Sequence, residues 1–334
     1  MTTAAGPLRR LAMTFVLAPV ILLLAVGAVS ASAAMPVLGF QSEESPVSLI
    51  ARDAPGLGSV GVDGVNLTGR PGAVSGKTAA QSRQLSAARA QGLPADLLVG
   101  NFSPRIDDFS EPLAWRTLRS PRATAELAHT LGDRVRAEGW DGISVDLESL
   151  APRDRPGLVR LLADLRAELG SDASLTVAVS NSTTVSRYAA NGYDLPGIAE
   201  SVDQIVLMAY DQHGPWEATP GPIGAEDWVK AGLRALLQKV PPSQVDLGVA
   251  GYAYVWQPHS RRQVSDATAR RLASRPGVHD HWVASVGEWT ATLPGGGTIW
   301  RSDARTLARR ERLAASLGLH GVAVWSLGLS DPIG

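Results

Sequence analysis

Two carboxylates stand two residues apart in the stretch Trp140-Asp141-Gly142-Ile143-Ser144-Val145-Asp146-Leu147-Glu148-Ser149. The stretch alternates: Ile143, Val145 and Leu147 are apolar, while Ser144, Asp146 and Glu148 are polar. A strand sends successive side chains to opposite faces, so one set can pack on helices while the other points the opposite way. Same-face neighbours then lie about 6.5–7 Å apart. Two acids at that spacing, directed into a barrel at a strand's C-terminal edge, can form an acid site. The plain alternative is an exposed strand with a wet acidic face, but such a strand rarely carries so apolar a second face.

An acid pair of this kind needs a scaffold, and the rest of the chain has the pattern of one. Strand-like runs at 36–40, 58–65, 95–101, 141–147, 175–180, 204–210, 245–251 and 321–326 take turns with helix-like runs at 46–54, 77–91, 121–138, 154–169, 226–239 and 303–317. Pro121 just inside a Ser120 cap favours a helix start, and Leu158, Leu161, Leu162 and Leu165 share one helical face. Eight strands alternating with helices predict an α/β fold, a (β/α)8 TIM barrel over residues 35–334. A doubly wound open sheet is the rival, but no glycine-rich phosphate turn follows any strand. The longest irregular region, 254–297, reads as a small insertion after the seventh strand. It includes a hairpin from Trp282 to Ile299 around Pro294-Gly295-Gly296-Gly297. No helix pattern follows the eighth strand.

Composition narrows the function classes. With 45% hydrophobic and 19% charged residues the chain is globular and not disordered. The net charge of −1, with no basic tract beyond the N-terminus, argues against nucleic acid as a partner. The absence of cysteine excludes disulfides, a lipoprotein anchor and thiolate chemistry. Residues 1–34 have the form of an export signal: Arg9 and Arg10 precede an apolar run at 11–29, then Ser30-Ala31-Ser32-Ala33-Ala34 offers a cleavage site. The run is also long enough to act as an uncleaved membrane anchor. Either reading places the remainder outside the cytoplasm, secreted or at the cell surface. A monomer is expected.

In a barrel of this kind the C-terminal ends of the strands build the site. Those ends carry Asn101, Asp146, Glu148, Ser180, Asn181, Tyr210, Asp211, Tyr252 and Trp325. Aromatic faces among carboxylates and amides suit a sugar. No cofactor or metal is called for. His213 is expected to fix a loop, and His279-Asp280-His281 lacks an evident third ligand. Asp141 has the parity of a structural residue. Asn101 and Ser180 can be lining residues or strand caps, and the sequence leaves that open.

These residues carry a family resemblance. Asp141-Gly142-Ile143-Ser144-Val145-Asp146-Leu147-Glu148 resembles the acidic signature of glycoside hydrolase family 18, the chitinase-type barrels. Met208-Ala209-Tyr210-Asp211, Leu247-Gly248-Val249-Ala250-Gly251-Tyr252 and Gly321-Val322-Ala323-Val324-Trp325 resemble later segments of that family, in its order. Pro220-Gly221-Pro222-Ile223, with Trp228, is more like the branch that trims peptidoglycan of bacterial spores and cell walls. The resemblance implies a hydrolase of β-linked N-acetylglucosamine polymers, peptidoglycan first and chitin second. Glu148 would be the general acid and later the base. The substrate's own acetamide would be the nucleophile, with retention of configuration, a scheme set apart from the two-carboxylate one. Asp146 would hold the acetamide, Tyr210 would donate to its oxygen, and Trp325 would floor the subsite. Met208, Asp211, Tyr252 and Asn101 would be substrate contacts. The chitinase pattern has Asp where this chain has Ser144; with that proton-sharing partner gone, Asp146 is expected to ionise more readily. A carbohydrate-binding barrel without catalysis is the alternative function.

Overall fold

The protein is described here by a computed structural model covering residues 1–4 and 35–334. The expected signal or anchor falls almost wholly outside the described residues. Among those described, no helix is long and apolar enough to cross a membrane.

The strands in chain order are β1 (Val37–Ser42), β2 (Ser59–Asn66), β3 (Ala95–Gly100), β4 (Phe102–Ser103), β5 (Asp108–Phe109), β6 (Gly142–Asp146), β7 (Ser174–Ser180), β8 (Gln204–Met208), β9 (Val245–Ala250), β10 (Tyr252–Gln257), β11 (Ser260–Ser265), β12 (His279–Val283), β13 (Glu288–Leu293), β14 (Gly297–Arg301) and β15 (Gly321–Trp325). The helices are α1 (Ser48–Asp53), α2 (Ala79–Ala90), α3 (Glu111–Leu118), α4 (Pro121–Glu138), α5 (Arg155–Leu169), α6 (Val185–Ala190), α7 (Leu195–Ala199), α8 (Glu226–Leu236), α9 (Asp266–Ala273) and α10 (Ala304–Ser316). Eight parallel strands close in the order β1-β15-β9-β8-β7-β6-β3-β2, the (β/α)8 barrel that the alternation predicted.

The two faces of each strand divide the core. Val60, Val62, Leu97, Val99, Ile143, Val145, Ile205 and Leu207 join Leu127, Leu131, Leu158, Leu161, Leu162 and Leu165 of α4 and α5 in the layer between strands and helices. Burying each such side chain contributes roughly 1.5–3 kcal/mol. The opposite face fills the barrel with a smaller apolar set, Leu38, Phe40, Leu98, Val206 and Ala323, against which Trp325 packs. Polar residues share that interior. At its N-terminal end Asp96 accepts from Ser174 Oγ at 2.6 Å, and Asp246 lies 2.7 Å from His320 Nδ1.

The helix leading into the acidic strand has a well-marked start and stop. Ser120 Oγ accepts from the Ala123 N–H, Pro121 opens α4, and Gly139 closes it at φ +80° with its N–H on Val135 O. The left-handed conformation there suits glycine. Trp140 and Asp141 then lead directly into β6, where Asp141 Oδ2 accepts from the Ala95 N–H at 2.8 Å. Asp141 is thus structural, as its parity suggested.

Two regions differ from expectation. The stretch after the seventh barrel strand is not irregular: it forms a five-stranded sheet, β11-β10-β14-β13-β12, with α9 packed on it. Its own small core comprises Ala253, Val255, Ala269, Ala273, Ala291, Leu293 and Ile299. The expected hairpin is β13–β14, with Leu293 opposite Gly297. Where an eighth helix would lie, residues 326–334 run without regular structure across the start of the barrel. Leu327 packs beside Gly39, the Ile333 N–H donates to Asp53 Oδ1 at 3.0 Å, and Arg52 donates to Leu327 O at 2.9 Å.

Candidate active site

β6 ends at Asp146, so Glu148 stands two residues beyond it. Its backbone is held instead by a side chain from the next strand. Asn101, one residue past β3 and fully buried, accepts from the Glu148 N–H at 2.9 Å and donates to Glu148 O at 2.9 Å. The same amide donates to Ser110 O at 3.1 Å. Asn101, expected to contact substrate, is instead buried off the cavity wall with its amide committed to these carbonyls and to the Glu148 N–H. The pairing of Gly100 with Asp146 puts it beside the turn it clamps.

Asp146, Glu148, Met208, Tyr210, Asp211 and Trp325 come together around a cavity of about 500 Å3 at the C-terminal ends of the strands. Ser180 and Asn181 also line it, so Ser180 is a wall residue and not only a cap. Tyr252 is not on the wall. It is completely buried and, with Tyr254, donates its hydroxyl to Asp211 Oδ1, at 2.7 Å for Tyr254. Tyr252 acts by fixing Asp211, which adopts φ +60° just past β8.

The wall also holds residues that the strand-end pattern does not reveal: Asp108 and Phe109 from β5, Trp216 from the loop after β8, and Trp228 from α8. A second hollow of about 300 Å3 adjoins the first. It shares Phe109, Asp146 and Trp325 and adds Asp63, Asn66, Leu98, Gly100 and Phe102. Asp63 sits inside an apolar β2, Trp216 in a loop and Trp228 on a helix, so none repeats at a strand end.

The loop carrying Trp216 is anchored from several sides. His213 Nδ1 lies 2.9 Å from Glu217 Oε2, with its ring against Gly221, the loop-fixing role expected of it. Glu288 of the added sheet accepts from the Ile223 N–H at 2.9 Å and the Gly224 N–H at 2.7 Å. Trp216 itself is 60% exposed and lies edge-on to Tyr254. Asp280 of the other histidine segment pairs with Arg301 at 2.8 Å. Among the described residues no three His, Cys, Asp or Glu side chains are grouped to hold a metal.

Burial and neighbouring carboxylates raise the acids of this site. The Glu148 carboxyl is raised well above its ordinary value, first by burial and then by the charges of Asp146, Asp211 and Asp108. Asp146 is pushed up to about 7, by burial and by Asp63. Position 144 carries no acid, but Asp63 on β2 adds its charge to the burial that raises Asp146. Asp211 is raised by burial of its carboxyl against the pull of two tyrosine bonds, even though the residue presents surface at the cavity mouth. Burial, then Asp146 and Glu148, lift the Tyr210 phenol well above its usual range and hold it neutral as a donor. A carboxylic acid raised in this way on the wall of an open cavity can deliver a proton to a leaving oxygen.

Known proteins share both the sequence and the architecture. The family description "Glycosyl hydrolases family 18" matches residues 101–329. The chain is 21% identical over 262 residues to the uncharacterized glycosylase YvbX of Bacillus subtilis, covering 75% of each chain. It is 27% identical over 240 residues to the cortical fragment-lytic enzyme of Bacillus subtilis, covering 67% of this chain and 55% of that protein. The chitinase of Chromobacterium violaceum superposes with a TM-score of 0.81 at 26% identity, covering 89% of this chain and 96% of that one. The matched segment is well over half of the chain and contains every residue of the main cavity, so the chain belongs to glycosyl hydrolases family 18 and is a glycoside hydrolase.

Proposed function

We propose that the chain cleaves β-linked N-acetylglucosamine polymers, bacterial peptidoglycan before chitin, with Glu148 as acid and then base. The observation that carries this reading is the placement of Glu148. Its carboxyl is half-buried on the cavity wall, raised well above its ordinary value, with its backbone clamped by Asn101. An acid raised in this way can protonate the glycosidic oxygen, and the carboxylate it leaves can then activate water.

Asp146 would bind the acetamide and Tyr210 would donate to its oxygen, both from the same wall. Asp211 is one of the carboxylates beside Glu148, with Asp146 and Asp108, and its Oδ1 is engaged by two tyrosine hydroxyls, which makes it a poor nucleophile. That favours attack by the substrate's own acetamide and retention at the anomeric carbon. Trp325, with Trp216 and Trp228 on the wall, would offer faces for sugar rings. The preference for peptidoglycan is supported by the match to a cortical fragment-lytic enzyme and by the segment Pro220–Ile223, which the added sheet holds in place. Export through residues 1–34 belongs to the same reading and would put the enzyme where such polymers are.

The test is release of soluble fragments from purified peptidoglycan and from chitin, with mass and anomeric form of the products read directly. Faster release from peptidoglycan with a β-anomer product is expected. Faster release from chitin would reverse the order of substrates, and an α-anomer would remove the substrate-assisted mechanism.

A further inference from the structure

We propose that Asp63 is a positioning residue that shares a proton with Asp146, supplying from β2 the carboxyl that the chitinase pattern supplies at position 144. This rests on the reading of Asp146 and Glu148 as the acid site. Asp63 is opposite Leu98, and Leu98 is opposite Ser144, so Asp63 and Ser144 stand in one register on either side of β3. Leu98 belongs to the inner apolar set, and the period of two puts Asp63 and Ser144 on the inner face as well. Asp63 and Asp146 line the same 300 Å3 hollow.

The backbone of β2 is shaped at this point. The register with β3 shifts between Asp63 and Val65, and Gly64 takes φ +159°. A side chain there would meet the Glu43 carboxyl at 2.6 Å. An extra residue of this kind re-aims its neighbour. Meanwhile Ser144 Oγ and Asp146 Oδ1 are buried without any hydrogen-bond partner, so nothing on β6 does the work of the absent acid.

The groups around the pair are acids and phenols. Glu43, which accepts from Thr78 Oγ1 at 2.6 Å, acts on Asp63 from the turn after β1. Asp146 and Glu148 face Tyr193 and Tyr210, with Asp211 and Asp108 acting on Glu148. Among the described residues no lysine or arginine acts on the pair, so a second negative charge on it is opposed and one proton is retained. Its transfer breaks the O–H bond of one carboxyl and makes that of the other, leaving the pair's charge unchanged. Asp146 can thus meet the acetamide either as acid or as carboxylate without exchange with solvent.

The test is the pH dependence of kcat/KM for the full chain, Asp63→Asn, Ser144→Asp, the double variant and Glu148→Gln. The Asp63 charge raises Asp146, so Asp63→Asn should move the acid limb down by about one pH unit and lower the rate at the optimum. Ser144→Asp in that background should restore the limb, which a purely structural loss would not allow. A superimposable profile for Asp63→Asn, or no restoration in the double variant, overturns the proposal. Should Asp63→Asn not fold, Ser144→Asp alone is expected to raise the acid limb, and an unmoved limb overturns it. Full activity in Glu148→Gln would overturn the acid-site reading itself, whereas an inactive Glu148→Gln beside an unchanged Asp63→Asn profile overturns only the role of Asp63.

Discussion

Replacing Asn101 by alanine should damage catalysis without touching substrate. The amide makes three hydrogen bonds, two to the Glu148 backbone and one to Ser110 O. At about 1 kcal/mol each, their loss amounts to about 3 kcal/mol of stability, which a domain of ordinary stability survives. Glu148 lies beyond the end of β6, and these bonds are what fix its turn. A displacement of about 1 Å at a reacting group can lower a rate on the order of a hundredfold. The expected result is a kcat reduced by about that factor, a nearly unchanged KM and a lowered denaturation midpoint, read by steady-state kinetics and urea unfolding. A KM that rises while kcat stays intact would refute this reasoning, because it would place Asn101 on the substrate, where the strand-end pattern first put it.

Three further outcomes follow from the structure. Trp216→Ala, at an exposed position on the cavity wall, should raise KM for long oligosaccharides several-fold with kcat and melting temperature little changed; equal KM values would take Trp216 off the binding surface. Gly232→Ala would set a Cβ 1.6 Å from Asn181 Oδ1, so calorimetry should show a loss of roughly 1–3 kcal/mol despite the better helix former, and an unchanged melting temperature would mean Asn181 can move away. Burial pushes Asp96 up to about 7, the Ser174 bond opposing it. In the unfolded chain Asp96 ionises near its ordinary value while the folded chain keeps it protonated, so its destabilising effect grows from about pH 4 to about pH 7. Asp96→Asn should therefore add on the order of 4 kcal/mol at pH 8 and little at pH 4, and an equal effect at both would contradict the buried, raised acid.

Much of the fold is legible in the sequence because the barrel strands carry apolar outer faces that pack on helices. Ile143, Val145 and Leu147 announce β6, and Leu158 to Leu165 announce α5. The added sheet escapes because β11 and β12 are mostly exposed and polar, so no buried face repeats along them. The site is legible as far as it follows strand ends, which gives Asp146, Glu148, Tyr210, Asp211 and Trp325. Asn101 and Tyr252 end strands too, but whether such a residue faces substrate or clamps a neighbour depends on contacts with residues some 40 positions away. Asp63 is hidden for another reason. The bulge at Gly64 breaks the alternation that would have marked its face.

The central claim is that Glu148 is the acid, and one variant tests it. Glu148→Gln keeps the shape and removes the proton. Its turnover of peptidoglycan fragments should fall by at least about a hundredfold, the scale of general acid catalysis, while oligosaccharide binding measured by calorimetry is retained. Turnover equal to that of the unaltered chain would contradict the claim, and binding without turnover by either protein would make this barrel a carbohydrate-binding one.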